Sequence, residues 1–414
     1  MDENLNQKIQ DQGHRNAFNL FCVWTYVQIC RPQDIIPFLN SLRPSLIFLI
    51  LLCICCITKN PFVNKGSLYK EIQVKLYLLL FLTMVSSIVF SFYRRLSFNF
   101  VFLIYSQSIF FFFLFITLVN DIKKTERILF LVCCGIGIYS TVYLFLGDTT
   151  ENRVSFGDMF DSNDIAYVVI SFVMFNFYFL VKRGSKIISI ISMINIIVGF
   201  LLIIYSGSRG GFIGAAIASV LLILSRKGIL SSSLKTLLIL SLIVFFSTTR
   251  YDFYRYKTIF DFKNDYNYVE EEGRFEIWKI GINMMLSNPL TGVGVNCFPE
   301  AVGRDRIARG AETYKWQTAH NSAVQIGTET GVIGFILFAL LSFRALRSFN
   351  KVRTVSNDER LRKLGELTFI GFIGSFVVMM FLSQAYSIIW VFYIALSVVL
   401  SRLLDMQMNS SGSA

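Results

Sequence analysis

Charge is scarce in this chain. Only 16% of its 414 residues are Asp, Glu, Lys or Arg, against 54% hydrophobic, and this balance excludes a soluble globular domain. Histidine is scarcer still: there are two, His14 in the N-terminal tail and His320. Neither stands near cysteines at zinc-ligand spacing, so no metal and no cofactor are expected. Of the eight cysteines, Cys22, Cys30, Cys53, Cys55, Cys56, Cys133 and Cys134 fall within or at the ends of apolar runs, where they act as small hydrophobes. Cys297 alone falls in a long loop, where it has no partner for a disulfide. The turn Thr291-Gly292-Val293-Gly294-Val295-Asn296 lacks a preceding strand and the third glycine, which excludes a dinucleotide fingerprint. Glu270, Glu271 and Glu272 form an acidic cluster that reads as a solvated charge run, with a divalent-ion site as the weaker alternative.

What fills the chain instead is apolar. Phenylalanine alone occupies 42 positions. Runs suitable for spanning helices fall near 17–30, 45–58, 74–91, 98–119, 128–147, 164–181, 187–205, 211–225, 234–247, 320–342, 366–383 and 386–404. The fold expected is an all-α polytopic membrane protein of about twelve transmembrane helices. Residues 1–247 would hold helices 1–9, 248–319 a long outer loop, and 320–414 helices 10–12 with a cytoplasmic tail. The run after the polar first sixteen residues lacks a small-residue cleavage site and reads as a retained helix.

Most of the 39 lysines and arginines lie in alternate segments: the N-terminal tail, 59–75, 120–127, 182–186, 225–235, 343–365 and the C-terminus. Cytoplasmic loops carry such an excess, so both termini are expected inside and 248–319 outside. The net charge of +12 is therefore mainly a topology signal. Its division among separate loops gives no support to nucleic-acid binding.

Within 248–319, the stretch GRFEIWKIGINMMLSNPLTGVG reads as an amphipathic helix ended by Asn288-Pro289. Phe275, Ile277, Trp278, Ile282, Met285 and Leu286 are its expected buried or interfacial stripe. The following glycine turn permits close approach of a ligand or a helix. Arg209 stands between two apolar runs, where a cation either snorkels to headgroups or holds a partner. Ser206, Ser208, Gly207, Gly210 and Gly211 around it offer hydroxyl and backbone N–H groups at a helix start, a suitable anion site. The planar guanidinium fork suits phosphate oxygens, and Arg274 is a second such candidate, or else pairs with the acidic cluster.

His320 lies where the outer loop meets an apolar run. It reads either as a proton-transfer group at the membrane surface or as a structural donor to a loop carbonyl. Asn321 reads as the cap of the span that follows. Glu329, nine residues after His320, is costly unpaired and would orient a partner, contact sugar hydroxyls or pair with a cation. Tyr314 and Trp316 read as interfacial anchors or as stacking platforms for sugar rings. The polar segment 147–166 reads as a solvated outer loop that could touch hydroxyls, and 31–44 has no assigned role.

Three blocks, YSGSRGGFIGAA at 205–216, GRFEIWKIGINMMLSNPLTGVGVNCF at 273–298 and TAHNSAVQIGTETGVIGFILF at 318–338, resemble the O-antigen ligases and polymerases of bacterial envelope polysaccharide synthesis. The resemblance implies a metal-independent, GT-C-like glycosyltransferase on the periplasmic face of the inner membrane. Its donor would be a glycan on undecaprenyl diphosphate. Its acceptor would be a hydroxyl of another lipid-linked glycan or of lipid A-core. Arg209 and Arg274, with Ser208 and Gly210, would bind the donor diphosphate, His320 would be the general base, and Glu329 would contact substrate. Polymerase and ligase remain open at this point. A transporter of lipid-linked oligosaccharides is the alternative; it calls for mid-span charges and an internal repeat, and neither stands out.

Overall fold

A computed structural model of the chain describes residues 2–59, 71–150, 153–155, 161–182, 184–225, 273–310 and 316–412. The expected ninth span at 234–247, the loop start at 248–272 with Glu270, Glu271 and Glu272, and Tyr314 lie outside them. In chain order the helices are α1 (Asp2–Cys30), α2 (Pro44–Lys59), α3 (Ile72–Phe90), α4 (Arg94–Leu118) and α5 (Ile122–Leu146). A two-stranded antiparallel hairpin follows, β1 (Asp148–Thr150) and β2 (Arg153–Ser155). Then come α6 (Ser162–Val181), α7 (Lys186–Tyr205), α8 (Arg209–Ile223), α9 (Arg274–Ser287), α10 (Phe298–Ala308), α11 (Ser322–Val355), α12 (Glu359–Met379) and α13 (Ile388–Gly412). The Pro-bearing stretch 31–44 forms two short helical turns, Pro32–Ile35 and Phe38–Ser41.

Seven of these, α3, α4, α5, α6, α7, α11 and α13, are long and apolar enough to cross a membrane, so this is a multi-pass membrane protein. Among the described residues, seven helices thus meet the length and apolarity of a span, against about twelve expected along the whole chain. α2 and α8 are shorter apolar helices, while α1 and α12 coincide with the first and eleventh expected runs but carry more polar residues.

Several helices start at residues whose side chains satisfy the first backbone N–H groups. Asp161 accepts from Asn163 N and Asp164 N at 2.7 Å, Ser208 Oγ from Gly211 N at 3.1 Å, and Asn321 Oδ1 from Ala323 N at 2.9 Å. Each such cap stabilises its helix by about 1 kcal/mol. The same three caps start α6, α8 and α11, which bring their N-terminal ends to the candidate site.

α6 is the central element. It packs against α7 and α12, and α8 packs against α12 as well. Within its apolar window 83% is buried, against 28% for α7, which leaves the α7 surface for lipid. Aromatic rings fill the core: Phe392 of α13 meets Phe115 and Phe172 at 5.3 Å between centroids. Such pairs add about 0.5–1.5 kcal/mol beyond the area they bury. At the C-terminal end of α6, Glu126 accepts from Tyr178 and pairs with Lys182 and Arg360, both at 2.7 Å. This buried carboxylate is thus paired and hydrogen-bonded, as its burial requires.

α11 is bent where Gly331 adopts φ 74° and ψ −173°. A Cβ at Gly331 would lie 2.5 Å from Pro289 O, so only glycine admits the crossing segment after α9. Val332 N donates to Pro289 O at 2.8 Å, Val293 N to Thr328 O at 2.9 Å and Gly294 N to Glu329 O at 3.1 Å. The glycine turn therefore approaches a helix. It lies along the bend of α11 and recovers backbone hydrogen bonds there.

Candidate active site

The N-terminal ends of α8 and α9 meet beside the C-terminal end of α12. Ser208, the buried cap of α8, lines a pocket together with Arg209, Gly210, Arg274 and Asn163, and Phe381 and Leu382 form a wall. A Cβ on Gly210 would stand 2.9 Å from Phe381 Cβ, so glycine here lets the wall close onto α8. Two arginines and the start of an apolar helix thus line one small polar space. Residues of this kind suit a phosphorylated group.

Arg274 is the first residue of α9, whose placement depends on one face. Ile277, Ile280 and Gly281 are buried, whereas Phe275 and Ile282 are each 42% exposed and Leu286 62%. Of the expected buried or interfacial stripe, Ile277 is buried, Trp278 and Met285 are partly buried, and Phe275, Ile282 and Leu286 are exposed. The contact with α11 decides it: Thr328 Oγ1 donates to Gly281 O at 2.9 Å, and the small Gly281 brings that face inward. The helix ends at Ser287, before Asn288-Pro289, as expected.

His320 precedes α11. Its backbone N–H donates to Ser383 Oγ at 2.9 Å, one residue beyond the pocket wall at Leu382. Its Nε2 lies 3.2 Å from Thr318 Oγ1. Burial, followed by the positive charge of Arg274, pushes the imidazole pKa down to about 4, with Asp161 acting in the opposite sense. The ring is therefore neutral at neutral pH and able to accept a proton.

Arg209, Arg274, Ser208 and Gly210 share the pocket. His320 adjoins it through Ser383 and through the field of Arg274. Glu329 does not line it: the side chain is 1% exposed, and its oxygens accept from Asn296 N at 2.8 Å and Phe298 N at 3.1 Å. Asn163 is a pocket residue that sequence reasoning did not single out. It lay within the polar 147–166 segment, and its one sequence signal was its place two residues after Asp161, at a helix start. Trp316, 63% exposed, does not line the pocket either.

Residues 194–339 match the O-antigen ligase family, a stretch that takes in Arg209, Arg274, His320 and Glu329. No curated protein matches the chain.

Proposed function

The chain belongs to the O-antigen ligase and polymerase superfamily, and from that premise we propose that it transfers a glycan from undecaprenyl diphosphate to an acceptor hydroxyl. The observation that carries the reading is the convergence of Arg209 and Arg274 on one pocket whose wall runs directly into the residue that binds the His320 backbone.

In this reading the donor diphosphate sits between Arg209 and Arg274, with Ser208 and Gly210 supplying the helix start. The acceptor hydroxyl attacks the anomeric carbon from the face opposite the leaving group, and the new C–O bond forms as the bond from that carbon to the diphosphate oxygen breaks. The hydroxyl proton passes to His320, and undecaprenyl diphosphate leaves with the bonding electron pair. The two arginines stabilise the negative charge that develops on it. Donor phosphate beside Arg274 offsets the charge that depresses the His320 pKa. The base is therefore stronger in the donor complex than in the free protein.

Glu329 is assigned to holding the turn that ends at Phe298, with substrate contact passing to Asn163 instead. The remaining parts of the proposal are a GT-C-like helical enzyme in the inner membrane, its pocket on the periplasmic face, and the division at 248–319 between two transmembrane parts. Catalysis would require no metal ion, because arginines provide the charge at the leaving group.

Purified protein is tested with undecaprenyl-diphosphate glycan, EDTA, and either more donor or lipid A-core as acceptor. A ladder of products identifies a polymerase and a single capped acceptor a ligase; both support the reading. Absence of transfer to either acceptor, in protein shown to be folded, would count against it.

A further inference from the structure

His320 has φ 47°, in the left-handed region that residues bearing a Cβ rarely adopt. Such a conformation persists only where its surroundings over-determine it. Both ends of the peptide unit that sets this φ are gripped by side chains. Trp278 Nε1 donates to Ala319 O at 2.8 Å, and His320 N donates to Ser383 Oγ at 2.9 Å; carbonyl and amide belong to the same plane. On the far side, Asn321 fixes the start of α11. Ala319 itself is buried in a small cluster with Ile277, Ile280, Phe298 and Val302, so the grip cannot slide.

The two grips come from the elements that build the anion pocket. Trp278 lies four residues after Arg274 on α9 and hence on the same face. Ser383 directly follows Leu382 of the wall, and that stretch is tied to α11 by Ser322 Oγ, which donates to Leu382 O at 2.8 Å and accepts from Gln384 N at 3.0 Å. We propose that Trp278 and Ser383 are positioning residues: by clamping the Ala319–His320 peptide they hold the imidazole in register with Arg274, coupling the base to the anion pocket. The role assigned to His320 rests on the glycosyl-transfer reading above; the clamp itself is a matter of geometry.

The chain has only two histidines, so protein labelled with 13C at histidine Cε1 gives two NMR resonances, assigned with His320→Ala. The variants are Trp278→Phe, which keeps a ring but removes the N–H, Ser383→Ala, and Ser383→Thr, which keeps the hydroxyl. In the first two the His320 resonance is expected to shift and its titration midpoint to rise from about 4 towards the ordinary 6.5 as the ring escapes burial. His14 should stay in place, and Ser383→Thr should restore the wild-type signal. In glycan transfer, the first two should lower kcat by roughly 10–100-fold while KM for the donor changes by less than about 3-fold, because misplacing a catalytic group costs rate and leaves the anion site intact. An unchanged His320 signal and midpoint in both would overturn the clamp. So would parallel losses of kcat, donor binding and thermal stability, which would mark the residues as merely structural. If the wild type transfers no glycan, the functional reading fails, and the NMR result alone still decides the clamp.

Discussion

At the scale of single residues, His320 is kept neutral by its burial and then by the adjoining arginine. The charge of Arg274 disfavours the imidazolium, so Arg274→Ala should raise the His320 pKa above about 4, and donor diphosphate should raise it in the wild type for the same reason. NMR titration of the labelled histidines checks both, and a midpoint that falls or stays fixed would show that the two groups do not interact. Because the neutral ring is the active form, transfer should be lost as pH drops through this midpoint, with the acid limb of kcat lying at higher pH than that of kcat/KM. Arg209 stands out in the sequence as a cation between two apolar runs, whereas Arg274, in a polar loop, and His320, at the loop's end, are singled out there chiefly by the family resemblance. The roles of Trp278, Ser383 and Asn163 were not legible there. Their contributions are bonds to backbone atoms or a place in a pocket made by other elements, and apart from the position of Asn163 at a helix start they leave no spacing signal.

At the scale of elements, α9, the turn after it and the bent α11 form one unit, and Glu329 is its fastening. The carboxylate satisfies two backbone N–H groups at the start of α10, at 2.8 and 3.1 Å. Glutamine offers one acceptor oxygen and turns an N–H₂ donor towards the second amide. Glu329→Gln should therefore destabilise the turn by about 1–3 kcal/mol, the cost of a buried unsatisfied donor. Hydrogen exchange at Asn296 and Phe298 should quicken accordingly, whereas unchanged protection there would remove Glu329 from this role. The sequence indicated that this carboxylate needed a partner. It could not show that the partner is backbone from a segment some thirty residues earlier. Apolar runs likewise located the helices but not their ends. α11 continues from the expected 320–342 to Val355, and α1 begins well before residue 17, because hydropathy records the thickness of the bilayer and a helix need not stop at its edge.

At the scale of the whole molecule, α6 and α12 each have one end at the anion pocket and the other at the Glu126 network with Lys182 and Arg360. A 20-residue α6 spans about 30 Å, the thickness of the hydrocarbon core. The distribution of lysine and arginine predicts that the Glu126 end lies inside. A cysteine introduced at Trp316 should thus react with a membrane-impermeant maleimide in intact cells, while one at exposed Met408 should react only after the membrane is opened. The reverse pattern would invert the topology.

The role of His320 as base for transfer from a diphosphate donor is tested by single-turnover transfer from undecaprenyl-diphosphate glycan with wild type and His320→Ala, both saturated with donor and in EDTA. The variant should bind donor normally and transfer about 10²–10⁴-fold more slowly, the usual contribution of a general base. Transfer at the wild-type rate by His320→Ala would contradict it.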